Sequence, residues 1–291
     1  MPSAAAIREQ IESALAMRIP AALSVLPRSA PELLPTGIAE VDAMLGGGLP
    51  LGGVTEIIGP ECSGRSTLVL SVLAGITGQG AAAAYVDVSD ALDPFSAAAM
   101  GVDLGRLLWV RAGGSEFVEP VTQKNNAATE RSPDPRLRPL HKSRRHSTAK
   151  AVWDRLDQGL RATDLLLNTG GFRAIVIDMG DVGPEQVRRV PLASWYRFRL
   201  QAEKSQAILL LVTQAACASS CASVVLRCLE ADERWQYANE ASIGWPLLTG
   251  FRYQIGADRK RGSALESFHP CKKKPVSAAE ASWNSTTLWT R

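Results

Sequence analysis

Short apolar runs alternate with helical patterns through the middle of the chain. Residues 54–58, 83–88, 107–111, 174–178, 207–213 and 223–228 are apolar without regular polar alternation, the pattern of strands covered on both faces. Between several of them, 66–77, 151–167 and 192–205 carry apolar residues at helical spacing. That order predicts an α/β fold, a mainly parallel sheet with helices on both faces, and ligands in such sheets bind at the carboxyl ends of the strands. Ahead of the core, Ile7, Ile11, Ala14 and Leu15 predict an amphipathic helix over 4–17. Pro27, Pro31 and Pro35 then break the pattern and mark a linker.

The first core strand leads straight into Gly59, Pro60, Glu61, Cys62, Ser63, Gly64, Arg65, Ser66 and Thr67, followed by a helical run. In a phosphate loop of this kind, small residues let successive backbone N–H groups point at a triphosphate, and the helix N-terminus adds its positive dipole end. Arg65 stands where the loop lysine belongs. A guanidinium binds phosphate, yet its planar fork cannot place a compact charge between the β- and γ-phosphates, so binding and hydrolysis have to be argued separately. Taken alone, the loop reads equally well as a glycine-rich turn without a ligand.

Composition adds three constraints. The chain has 291 residues, 46% of them hydrophobic, and a formal net charge of +3, which suits a folded core without an overall commitment to nucleic acid. Five cysteines, an odd number, make no disulfide framework, and Cys217 and Cys221 lack a second ligand pair for a metal. The N-terminus lacks the long apolar core of a signal peptide and no run approaches a membrane span, so no membrane partner and a cytoplasmic location are expected.

Charge is concentrated locally. From Lys124 to Lys150 there are eight basic side chains against two acidic ones, within an insertion at 113–150 that is nearly free of aliphatic residues. Arg259, Lys260 and Arg261 with Lys272, Lys273 and Lys274 form a second cluster, in a basic tail expected over 257–291. Basic loops with few aromatics suit weak, sequence-independent contact with the phosphates of single-stranded DNA, and equally a solvated segment without a ligand.

Several motifs occur in one order: Leu34-Pro35-Thr36-Gly37-Ile38, Val41-Asp42, Leu45-Gly46-Gly47-Gly48-Leu49-Pro50, the Gly59 loop, and Asp90-Ala91-Leu92-Asp93-Pro94. Together they resemble the bacterial RecA family, closely over 34–108 and more loosely over 172–214. The resemblance implies a RecA-like core over 34–256, preceded by an N-terminal helix and linker at 1–33, with ATP and Mg2+ as cofactors. It implies that Ser66 ligates Mg2+, that Asp178 holds the metal through a water, that Asp93 contacts adenine, and that Gln214 senses the γ-phosphate. It also implies that the N-terminal helix docks on a RecA-like neighbour; the sequence leaves open whether it folds back on its own core instead.

The departures from the family run in one direction. Ser89 falls on the glutamate that activates the attacking water, and a serine hydroxyl is no general base near neutral pH without an activating partner. Asp87 and Asp90 could substitute only in a shifted loop. Ser96 replaces the tyrosine that stacks on adenine, with Phe95 next door as another ring. The two DNA loops are reduced to 180–191 and 215–222. This pattern of loss looks like the ImuA group, RecA-like accessory factors of damage-inducible mutagenesis that act with RecA and an error-prone polymerase. The alternative is an active ATP-dependent, single-stranded-DNA-binding recombinase.

Overall fold

The structure is a computed structural model that describes residues 4–15, 32–113, 149–236, 247–260 and 279–286. The chain divides into two compact units, Met1–Pro31 and Glu32–Arg291. In the first, α1 (Ala4–Leu15) forms where the 3.6-residue pattern predicts it. Residues 114–148 of the expected basic insertion lie outside the described residues.

The second unit opens with a two-stranded hairpin, β1 (Leu33–Leu34) and β2 (Leu49–Pro50), enclosing α2 (Ala39–Leu45). The Thr36 and Asp42 of the sequence motif lock this entry. Asp42 Oδ1 accepts from the Thr36 N–H at 2.7 Å and from its hydroxyl at 2.8 Å. The triple glycine that follows has a steric cause, since a Cβ on Gly48, at φ +132°, would lie 2.2 Å from the Leu34 carbonyl oxygen.

Six strands then form the parallel core: β3 (Val54–Ile58), β4 (Ala82–Asp87), β5 (Leu107–Arg111), β6 (Phe172–Asp178), β7 (Ile208–Thr213) and β8 (Val224–Cys228). They lie in the order β8-β3-β7-β6-β4-β5, each pair parallel. All residues of β3 and β7 are buried; β7 reads as an apolar run up to Thr213, while β3 takes Thr55 and Glu56 inside as well. One face carries α2, α3 (Arg65–Gly78) and α4 (Pro94–Ala99), with Leu68, Val69, Val72 and Ile76 in its core. The other carries α5 (Ala149–Thr169), the short α6 (Pro184–Val187) and α7 (Leu192–Ser205), with Leu156, Trp195 and Phe198 inside. The predicted α/β architecture is therefore present, and β3, next to the crossover that carries α3 over β7 and β6, puts the Gly59 loop at the strand ends.

The C-terminal part departs from the expectation. Within the span expected as a basic tail at 257–291, β10 (Leu247–Lys260) runs through 260 and β11 (Ala279–Thr286) pairs antiparallel with it, while Arg261, Lys272, Lys273 and Lys274 lie outside the described residues. β10 also pairs antiparallel with β8 and with β9 (Asp232–Gln236). Tyr253, Ile255 and Trp283 are buried on the face shared with α3, and this apolar side holds β10 and β11 on the core.

Candidate functional site

Three strand ends converge beneath the Gly59 loop: Ile58 of β3, Asp178 of β6 and Thr213 of β7. The loop itself has a turn conformation with Cys62 at φ +60° and Gly64 at φ +86°. A Cβ on Gly64 would lie 2.5 Å from the Tyr253 ring, so the loop rests directly on an aromatic side chain of β10. The Leu68 N–H bonds to Gly64 O at 3.0 Å and is the first amide of α3 with a backbone acceptor among the described residues. The amides before it are those that a phosphate loop turns toward an anion. Glu61, Cys62 and Ser66 are exposed along this turn, while the Ser63 hydroxyl donates back to Pro60 O at 2.8 Å.

Arg65 does not reach outward along the loop. Its side chain is 8% exposed and Nη1 donates to Thr213 O at 2.8 Å, tying α3 to the end of β7. The guanidinium lies beside Gly180: the point where a Cβ would stand on that glycine is 3.4 Å from both Nη1 and Nη2, and 3.1 Å from Asp178 Oδ1.

Asp178 ends β6 as predicted, and both of its oxygens have protein donors. Tyr85 of β4 donates its hydroxyl to Oδ2 at 2.6 Å, and the Gly180 N–H donates to Oδ1 at 2.8 Å. Burial pushes the Asp178 carboxyl above its ordinary range, against the Tyr85 and Gly180 hydrogen bonds and the Arg65 charge that pull it down. Tyr85 is itself raised well above an ordinary phenol, first by burial and then by the Asp178 charge. The residues assigned to Mg2+ by resemblance thus form a poor set for it: Ser66 is exposed, but Asp178 is 4% exposed and engaged at both oxygens.

Ser89, at the position of the family glutamate, bridges backbone groups. Its Oγ accepts from the Asp181 N–H at 3.1 Å and donates to Asp178 O at 3.4 Å. Neither neighbouring aspartate takes its place. Asp87 accepts from the Ala91 and Leu92 amides at 3.0 Å each and from Trp109 Nε1 at 3.2 Å. Asp90 forms a bidentate pair with Arg111 on the surface, at 2.7 and 2.9 Å. Gln214 does lie at the site, with Nε2 donating to Gly180 O at 3.0 Å. Asp93 caps α4, accepting from the Phe95 and Ser96 amides at 3.1 Å each and from the Ser96 hydroxyl at 2.6 Å. The Ser96 hydroxyl, ahead of the two amides, holds the Asp93 carboxyl below its ordinary range. Phe95 projects beside it, 84% exposed.

The loop 215–222 is held from inside the sheet. Glu56, wholly buried in β3, accepts from the Cys217 and Ala218 amides at 2.7 Å each. Burial, reinforced by this carboxylate, pushes the Cys217 thiol far up.

The loop and the strands before and after it have counterparts in known proteins. Residues 9–119 match the RecA N-terminal domain. This part of the chain is RecA-like. It is 46% identical over 93 residues to protein RecA of Crocosphaera subtropica, covering 32% of this chain and 27% of that protein. It is 45% identical over 93 residues to protein RecA of Symbiobacterium thermophilum, with the same coverage of 32% and 27%. The chain therefore spans about a quarter of the length of these RecA proteins. The crystal structure of the RadB recombinase superposes with a TM-score of 0.47 at 17% identity, covering 79% of this chain and 90% of that one.

The RecA-like stretch contains the Gly59 loop, Ser89 and Asp93, while Asp178, Thr213 and Gln214 lie beyond it. Tyr85, Thr213, Gly180 and Tyr253 are site residues that sequence reasoning missed. Tyr85 has one signal, a hydroxyl in an otherwise apolar strand two positions before Asp87. Thr213 and Gly180 act through backbone atoms, which no side-chain pattern reveals.

Proposed function

We propose that this chain is a RecA-related DNA-repair protein that binds a nucleoside triphosphate such as ATP on the backbone of 59–67 and turns it over little or not at all. It serves as an accessory factor of the ImuA type in translesion mutagenesis, in the cytoplasm, alongside RecA subunits and an error-prone polymerase. The observation that carries this reading is the engagement of Ser89 with Asp178 O and the Asp181 amide, which leaves no carboxylate where water would be activated. Arg65 supports it, because a guanidinium anchored on Thr213 O is not free to move with the charge that develops on a transferred phosphate. In this reading Asp93 and Phe95 stand at the adenine edge, and the basic residues of 113–150 contact single-stranded DNA weakly and without sequence preference.

A second reading, an active recombinase, is favoured by one observation: Gln214 retains a bond into the site, through Gly180 O. ATP binding and turnover by the purified full chain, with and without single-stranded DNA, separate the two. The expected result is retained ATP with negligible hydrolysis. DNA-stimulated turnover of about one per second, ordinary for an enzyme, would establish the recombinase instead.

A further inference from the structure

We infer that phosphate binding at the Gly59 loop is independent of divalent metal, with the Arg65 guanidinium supplying from within the protein the positive charge that Mg2+ would bring. This rests on the nucleotide-binding reading above and concerns the same site.

Two features carry it. The first is the closure of the carboxylate. Mg2+ demands near-octahedral oxygen ligation and keeps several of its waters, so an acid that holds it through a water must present an oxygen to the solvent side of the site. Asp178 is 4% exposed and offers little to that side, with Oδ2 already holding the Tyr85 hydroxyl at 2.6 Å and Oδ1 the Gly180 amide at 2.8 Å. Tyr85 is 3% exposed, so drawing Asp178 toward a metal shell would strand a buried phenol without its acceptor.

The second feature is the position of the cation. Arg65 and Asp178 flank the same point above Gly180, with Nη1 and Nη2 at 3.4 Å and Oδ1 at 3.1 Å from it. A methyl group placed at that point would already crowd both side chains. A dication there would face a guanidinium fixed by Thr213 O, and like charges at that separation in a buried setting repel strongly. An arriving phosphate meets a site whose positive charge is already present on the guanidinium. Gly180 completes the arrangement, because a larger residue would push into both groups.

The test is equilibrium binding of ATP to the full-length protein, measured in excess MgCl2 and in excess EDTA. The dissociation constants are expected to agree within about twofold. Arg65→Lys, which withdraws the cation from Thr213 O, and Tyr85→Phe, which frees Asp178 Oδ2, are each expected to create a metal dependence of about fivefold or more. The two substitutions act on opposite sides of the gap, so the loss of one variant to misfolding leaves the other to decide. Wild-type binding weakened about tenfold or more by EDTA would overturn the inference and leave the nucleotide-binding reading standing. Absence of ATP binding under both conditions would overturn both.

Discussion

Tyr85 sets the protonation behaviour of the strand ends more than any residue of the loop does. Its hydroxyl donates to a carboxylate that burial has raised above 3.8, the value of an unperturbed aspartate. A carboxyl whose folded pKa is raised binds its proton more tightly in the native state. Its contribution to stability is therefore full below 3.8 and is lost as pH rises through the folded pKa. The Tyr85 hydroxyl limits that loss by bonding to the charged form. Tyr85→Phe should destabilise the protein by about 1–3 kcal/mol at neutral pH, because a buried charged acceptor loses its partner. Urea titrations should find a smaller penalty near pH 3.8, where the neutral acid depends less on the phenol. An equal penalty at both pH values would mean that Asp178 is neutral throughout.

Among the elements, the segment between β7 and β8 differs most from a mobile DNA loop. Glu56 receives two successive amides of this segment from the middle of β3, so the residues after Gln214 are fastened to the strand that carries the Gly59 loop. Glu56→Ala should raise hydrogen exchange at the Cys217 and Ala218 amides by about tenfold or more, since bonds to a charged acceptor contribute about 1.5–3 kcal/mol. Exchange in β5, at the far edge of the sheet, should not change. The sequence is informative here to differing degrees. The central parallel strands are legible because burial on both faces leaves them mostly apolar, and β3, β5 and α7 have the predicted bounds. β10 and β11 escape prediction although their signal exists. Phe251, Tyr253, Ile255 and Ala257 alternate with Arg252, Gln254 and Asp258, a two-residue period interrupted by Gly250 and Gly256 and overshadowed by the flanking lysines and arginines. At the site, residue types such as Asp178 and Gln214 are readable from order and strand context. The inward turn of Arg65 is not, because it depends on a carbonyl acceptor brought close only by the pairing of β3 with β7.

For the whole molecule, the proposed reading assigns association to α1 and contact with DNA to the basic insertion, and each assignment has its own test. If the basic side chains of 114–148 neutralise phosphates, deleting that segment should flatten the salt dependence of single-stranded-DNA binding by about 0.7 in log–log slope for each phosphate no longer neutralised. An unchanged slope would assign the segment no part in binding. The stripe of Ile7, Ile11, Ala14 and Leu15 on α1 has the spacing of a docking helix. Ile7→Asp combined with Ile11→Asp should abolish self-association or RecA binding in sedimentation experiments while leaving the melting temperature nearly unchanged. A large fall in melting temperature with unaltered association would assign α1 to the fold of its own chain.

The packing of Gly64 on Tyr253 bears on how the protein is made. During translation, β3 and α3 leave the ribosome long before β10, and the ring on which the loop rests is among the last buried side chains to be synthesised. Trp283 of β11, whose ring centroid lies 5.2 Å from that of Tyr253, follows later still. A nascent chain that has already paired β3 with β7 still lacks the support that holds Gly64 in its left-handed turn. On the nucleotide-binding reading, competence to hold phosphate is acquired only once β10 has been made, and polypeptides released before it carry the loop sequence without the ring against which Gly64 packs.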